Sequence, residues 1–115
     1  MSKSGWEFVV INLAASATPL VAGVSGKKIR ILAALIDANN GDSTWYFRSS
    51  TGSVRLTGNL FLSSGPSGSS SATGQFVLPH APTGWFETAA GDDLELILAG
   101  GSAGVGGCLV YELAD

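Results

Sequence analysis

The residues able to do chemistry in this chain are few and scattered. There is one histidine, His80, in Leu78-Pro79-His80-Ala81-Pro82-Thr83-Gly84. A metal site in a sandwich or barrel normally takes several histidines, because imidazole supplies most of its ligands. A Ser-His-Asp triad needs only one, so composition alone leaves it open. Gly65-Pro66-Ser67-Gly68, however, lacks the spacing of a nucleophile elbow and sits in a Ser/Gly-rich loop. The prolines around His80 indicate a rigid connection and a structural histidine. Cys108 stands in Gly106-Gly107-Cys108-Leu109-Val110-Tyr111 with apolar alternation partners. A reactive thiol needs an electropositive, partly exposed setting, so a buried inert thiol is expected.

The carboxylates offer little more. Asp92, Asp93 and Glu95 open an apolar run, and Glu87 precedes them. A glycosidase-like pair would draw on these four. The ordinary expectation is a solvated strand edge, with Asp93 and Glu95 on its polar side. Asp37-Ala38-Asn39-Asn40-Gly41-Asp42 is rich in calcium-type oxygens but lacks the EF-hand spacing and its downstream Glu. Gly23-Val24-Ser25-Gly26-Lys27-Lys28 fails the phosphate-loop spacing, and Lys28 stands where a hydroxyl is required. Gly100 to Gly107 reads as a hairpin connection, because no helix follows to receive a pyrophosphate. No catalytic, cofactor-binding or metal-binding residue is therefore assigned, and the protein is expected not to be an enzyme.

The elements that carry these residues are short strands. Sixteen glycines punctuate short apolar runs, the pattern of many strands joined by turns. Strands are predicted over Trp6–Leu13, Leu20–Val21, Lys27–Asp37, Thr44–Ser50, Leu56–Leu62, Gln75–Leu78, Trp85–Thr88, Asp93–Ala99 and Gly106–Leu113. In the third, alternation would put Lys27, Ile29, Ile31, Ala33 and Leu35 on one face. Trp45 and Phe47 oppose Tyr46 and Arg48; Leu94, Leu96 and Leu98 oppose Asp93 and Glu95; Leu109, Tyr111 and Leu113 oppose Cys108, Val110 and Glu112. Period-two patterns mean one buried and one wetter face. The fold class is all-β: a two-sheet antiparallel sandwich of jelly-roll or related Greek-key type.

At 115 residues the chain is one domain over 1–115. Residues 1–5 are expected to form a flexible N-terminal arm and the Ser/Gly stretch 63–74 a mobile loop. Hydrophobic residues make up 45% of the chain and charged ones 13%, against about 25% charged in an average domain. That excludes intrinsic disorder and leaves two readings of the surface: Ser, Thr, Asn and Gly supply its polarity, or partners bury much of it. Net charge is −3 with only six Lys and Arg, so the basic footprint of a nucleic-acid binder is missing. No run is long and apolar enough to predict a membrane span. Synthesis in a cytoplasm is the simplest inference.

What remains is adhesion. Trp6, Trp45 and Trp85, with Tyr46, Phe86 and Tyr111, are many large aromatics for a small domain, and aromatics dominate interface energetics. Trp85 and Phe86 cannot both enter one core from a regular strand, so one must face a neighbour or a loop. Lys27, Lys28 and Arg30 are the only concentrated positive charge. Alternation places Lys28 and Arg30 on one face. Trp6, Lys28, Arg30, Trp85 and Phe86 are the candidate protein-interface residues.

Two segments carry a resemblance. They are Val21-Ala22-Gly23-Val24-Ser25-Gly26-Lys27-Lys28-Ile29-Arg30-Ile31-Leu32, and Gly84-Trp85-Phe86-Glu87-Thr88-Ala89-Ala90-Gly91-Asp92-Asp93-Leu94-Glu95-Leu96 continued by Val105-Gly106-Gly107-Cys108-Leu109-Val110-Tyr111. Together they resemble small virion proteins of tailed bacteriophages, in particular capsid decoration or cement proteins with a jelly-roll-like sandwich. The resemblance touches most of the strand-forming chain and rests on strands and turns, without a catalytic motif. It implies a protein on the capsid exterior, bound to the major capsid protein and often grouped as a homotrimer where capsid subunits meet. Related modules occur in phage fibres, spikes and tails, where they recognise a host glycan or protein. A small sandwich hydrolase or lectin-like accessory is the third class, and no catalytic constellation supports it.

Overall fold

The computed structural model describes residues 5–38, 41–63, 75–100 and 104–115. Most of the expected N-terminal arm and Ser/Gly loop, and Asn39 and Asn40 of the Asp37–Asp42 segment, lie outside these residues. The strands are β1 (Trp6–Leu13), β2 (Ala17–Val21), β3 (Lys28–Ala38), β4 (Asp42–Ser49), β5 (Val54–Arg55), β6 (Leu60–Ser63), β7 (Phe76–Leu78), β8 (Phe86–Glu87), β9 (Leu94–Leu98) and β10 (Val105–Ala114). Among the described residues there is no α-helix, only a one-turn 3-10 segment at Thr51–Ser53.

Two antiparallel sheets pack face to face. The first runs β1-β10-β3-β7, with β8 beside β7 on the same edge of β3. The second runs β2-β9-β4-β5, with β6 also on β4. If β5/β6 and β7/β8 each count as one interrupted strand, first position pairs with last, second with second-last, and so on inward. That is an antiparallel ribbon folded over on itself, the strand order of a jelly roll.

The core lies where the inward parities meet. Ile11, Ile29, Ile31, Ile36, Val105 and Leu109 come from the first sheet, and Trp45, Phe47, Leu94 and Leu96 from the second. Trp45 meets Phe47 and Phe76 edge-on, with ring centroids 5.4 and 5.1 Å apart. Edge-to-face geometry suits the ring quadrupoles.

Three sequence expectations change. In β3 the register against β10 steps from Val110–Ala33 to Tyr111–Ile31, leaving Leu32 as an extra residue. This bulge reverses the inward parity. Ile29 and Ile31 point into the core as expected, but Ala34 and Ile36 replace Ala33 and Leu35 there, and Leu35 is exposed. Of the single strand expected over Leu56–Leu62 only the last part forms, as β6 from Leu60; residues 56–59 separate it from β5, which comes earlier at Val54–Arg55. Between them the Thr57 hydroxyl accepts the Phe47 N–H at 3.1 Å and substitutes for a ladder bond. Finally, Glu95 points away from Leu94 and Leu96 as predicted, yet it is buried rather than solvated. Arg48, its register partner on β4, donates Nε–H to it at 2.7 Å.

Candidate functional site

Register across the first sheet assembles a surface that no single segment shows. On its outer side the first rung is Trp6, Glu112, Arg30 and Glu87. The second is Phe8, Val110 and Ala33, and the third is Val10, Cys108, Leu35 and Val77. The fourth is Asn12, Gly106 and Asp37. The two middle rungs hold no polar side chain. Phe8 is 70% exposed, Val10 68%, Val77 55% and Leu35 43%. Between Leu35, Cys108 and Val110 lies a shallow apolar groove of about 160 Å³. A contiguous apolar patch bounded by polar rims is the signature of an interaction surface.

The outer side of the second sheet is mixed: Phe61, opposite Thr44, is 63% exposed, but charged and aromatic groups surround it. There Arg48 pairs with Glu95, and the Arg55 guanidinium lies 3.7 Å from the centre of the Tyr46 ring.

Four of the five candidate residues, Trp6, Lys28, Arg30 and Trp85, fall at one rim of the apolar band. Lys28 Nζ lies 3.4 Å from Glu87 Oε2. Arg30 Nε donates to Glu87 Oε1 at 3.1 Å, and its Nη1 to Glu112 Oε2 at 3.0 Å. Lys28 and Arg30 share a face, as alternation predicts, but two carboxylates balance their charge. Glu87 raises the Arg30 pKa, and Arg30 holds the Glu87 carboxyl below its ordinary range. Lys27 pairs separately with Asp115. Pairs so open to solvent are screened and add little to stability; their service here is to set a charged border.

The Trp6 and His80 rings meet at a tilt of 53°, with centroids 4.5 Å apart. Trp85 donates its indole N–H to the Pro79 carbonyl at 2.9 Å. Both tryptophans thus converge on Pro79-His80, each about half exposed. Phe86 turns the other way, against Phe47 at 5.4 Å. Of the Trp85-Phe86 pair, only Trp85 is presented, lying against a loop. The indoles are brought together because β8 and the turn before it return along β3: Ala81 N–H bonds to the Leu32 carbonyl, and Trp85 N–H to that of Ile31. The extra residue at the bulge is where this loop is anchored.

The polar groups that suggested chemistry have structural partners instead. Buried Asp92 accepts the Ser49 hydroxyl at 2.5 Å and the Thr51 N–H at 3.0 Å. Asp93 accepts the Gly23 N–H at 2.7 Å. Cys108 belongs to the apolar band. A cleft of about 300 Å³ between the sheets is lined by Lys28, Ser49, Thr51, Glu87, Thr88 and Asp92 among others, and these carboxylates are already paired or hydrogen-bonded. Among the described residues no three His, Cys, Asp or Glu side chains cluster as a metal site, and no helix is long and apolar enough to cross a membrane.

These carboxylates give a pH prediction. Hydrogen bonds from Ser49 and Thr51 lower the Asp92 pKa from 3.8; Arg30, then Lys28, lower that of Glu87 from 4.5; Lys27 lowers that of Asp115 from 3.8. A depressed folded-state pKa stabilises fully above the unfolded value and loses that effect as pH falls through the folded one. Melting temperature should therefore hold down to the ordinary carboxylate range and fall below it. In Asp92→Asn the acid drop should be shallower. An identical drop in the variant would show that Asp92 has no part in it.

The fold and surface together define a β-sandwich with one unmasked apolar sheet face. Comparison with protein-family models, curated proteins and solved structures finds no match.

The apolar band escapes single-strand reading. Its one local signal is β1, which is apolar on both parities: Phe8 and Val10 on one, Val9, Ile11 and Leu13 on the other. A strand with only one face on the core has no use for the second set.

Proposed function

We propose that this protein is a non-enzymatic structural component of a tailed-phage virion that binds the outer surface of the assembled capsid and stabilises it. The observation that supports this reading is the pair of apolar rungs on the first sheet, Phe8-Val110-Ala33 and Val10-Cys108-Leu35-Val77. Buried against adjacent capsid subunits, that surface contributes about 25 cal/mol per Å² of apolar area. The charged rim at Arg30, Glu87 and Glu112 fixes orientation. Binding the assembled shell and not free subunits shifts the equilibrium toward the shell by mass action. The resemblance adds the major capsid protein as partner and a trimeric grouping at subunit junctions.

The test adds purified protein to capsids lacking it and measures occupancy and capsid melting. Wild type should bind in many copies around the shell and raise the capsid melting temperature. Val10→Glu/Leu35→Glu puts two charges in the centre of the band, at exposed positions that leave the core intact. Its affinity should fall at least about 100-fold, an ordinary loss for a charge in an apolar interface centre. Equal occupancy by both proteins would reject this face as the attachment surface, and no binding by wild type would reject the capsid reading.

A second reading rests on Trp6 and Trp85 beside the Arg30-Glu87-Glu112 network. Indole faces next to charged hydrogen-bonding groups suit a sugar ring, as in a fibre, spike or tail module that recognises a host glycan. A few copies at one vertex, with glycan binding lost in Trp85→Ala, would favour it.

A further inference from the structure

The four edges of the two sheets are not alike. The first sheet ends on one side in β7 and β8, of three and two residues. The second ends in β5 and β6, of two and four residues, and on its other side in β2. β2 has five residues, carries Pro19 and pairs irregularly with β9. Short length, proline and irregular pairing are the devices that blunt an edge.

β1 has none of them. It runs eight residues without proline, lysine or arginine. Its register with β10 is unbroken from Trp6 to Leu13. Among the described residues, no backbone bond reaches the opposite edge of residues 7–13. A regular strand of this length presents about 26 Å of open ladder. Phe8 and Val10, the most exposed large apolar side chains of β1, stand on it.

We infer that β1 is a self-association edge, which pairs antiparallel with β1 of a second copy across a two-fold axis normal to the sheet. Two arguments identify the occupant as a second copy. One is charge. The only charge on β1 is Glu7. Pairing centred on Val9 sets Phe8 opposite the partner's Val10 and Glu7 opposite the partner's Ile11, so apolar meets apolar and no like charges oppose. The other is closure. A head-to-tail ring needs a second long edge for β1 to meet, and none exists among the described residues, so self-pairing must be isologous.

The area sets the strength. At 70% and 50% exposure, Phe8 and Trp6 leave roughly 250 Å² of aromatic surface per copy. With Val10 and the ladder, the buried total is on the order of 1,000 Å², the small end of specific interfaces. The pair is therefore reversible and grows with concentration. It is also an alternative to the trimer that the resemblance implies. Its axis leaves both apolar bands on the same side of one continuous sheet.

This inference stands apart from the capsid reading and is tested without capsids. Sedimentation velocity over a wide concentration series should show one copy giving way to two. Amide exchange at high concentration should show new protection confined to alternate residues of β1. Phe8→Lys/Val10→Lys places edge-blocking charges at exposed positions. It should weaken association at least tenfold and keep the wild-type circular dichroism. A monomer throughout, a trimer, or a dimer indifferent to the double substitution would each overturn the inference.

Discussion

Gly107→Ala should leave little folded protein. Gly107 lies on β10 between Ile11 of β1 and Ile36 of β3, with φ of +141°. A Cβ there would overlap the Leu35 carbonyl oxygen and lie 2.9 Å from its carbon and 3.1 Å from Ile36 Cα. All three obstacles are backbone of the longest strand, so no side chain can swing aside. Added to the strain of that φ for an L-residue, the clash should cost more than about 4 kcal/mol, the range kept for a few severe mechanisms. A domain of this size would then melt roughly 15 °C lower or fail to fold. Gly58→Ala is the control, since a Cβ there meets nothing within 4 Å; it should stay within about 0.5 kcal/mol of wild type. A Gly107→Ala protein that melts like the control would mean that β10 and β3 do not approach as described.

Trp45→Ala should be the costliest truncation in the core, at about 3–5 kcal/mol by chemical denaturation. Trp45 is fully buried and meets both Phe47 and Phe76 edge-on. Trp45→Phe should cost less than half as much. It keeps a ring between those neighbours and removes a buried indole N–H that has no hydrogen-bond partner among the described residues. A buried donor left unpaired is itself unfavourable, so its loss offsets part of the lost area. Trp6 and Trp85 remain to report unfolding by fluorescence. Equal costs for the two substitutions would show that the indole N–H is satisfied.

Both predictions depend on strand placement, and much of that was readable from the chain. Trp45 and Phe47 against Tyr46 and Arg48, or Leu94 and Leu96 against Glu95, alternate without ambiguity, and the structure places them accordingly. β1 matches its expected limits because Gly5 precedes an unbroken β-prone run. β3 defeated the same logic. From Ile31 to Ile36 it is apolar on both parities, so nothing in the residues marks where the phase changes. The bulge shows only once β10 is laid beside it. Glu95 is a second case: its burial depends on Arg48, 47 residues away in sequence.

The candidate surface divides in the same way. Single-residue reasoning found the rim, because Trp6, Trp85, Lys28 and Arg30 are conspicuous types. It missed the neutralising carboxylates Glu87 and Glu112, and it missed the apolar centre. Phe8, Val110 and Ala33 are unremarkable where they stand in the chain. They become one surface through pairing between residues as much as 102 positions apart, as Phe8 and Val110 are.

The extra residue Leu32 gives β3 a property that its hydrogen bonds do not convey. The strand is written in two phases, and Leu32 is the frame shift between them. Fit that one residue into the ladder as an ordinary strand position and the strand would be no shorter, yet its far half would be inside out. Ala33, Leu35 and Asp37 would turn toward the core, and Ala34 and Ile36 toward solvent. A carboxylate would enter the interior, and the partner-facing groove would lose the leucine that walls it. Along most strands evolution can exchange letters one at a time. Here one residue left out of the pairing sets the sense of every letter after it, so the division between what this protein hides and what it presents hangs on Leu32 staying outside the ladder.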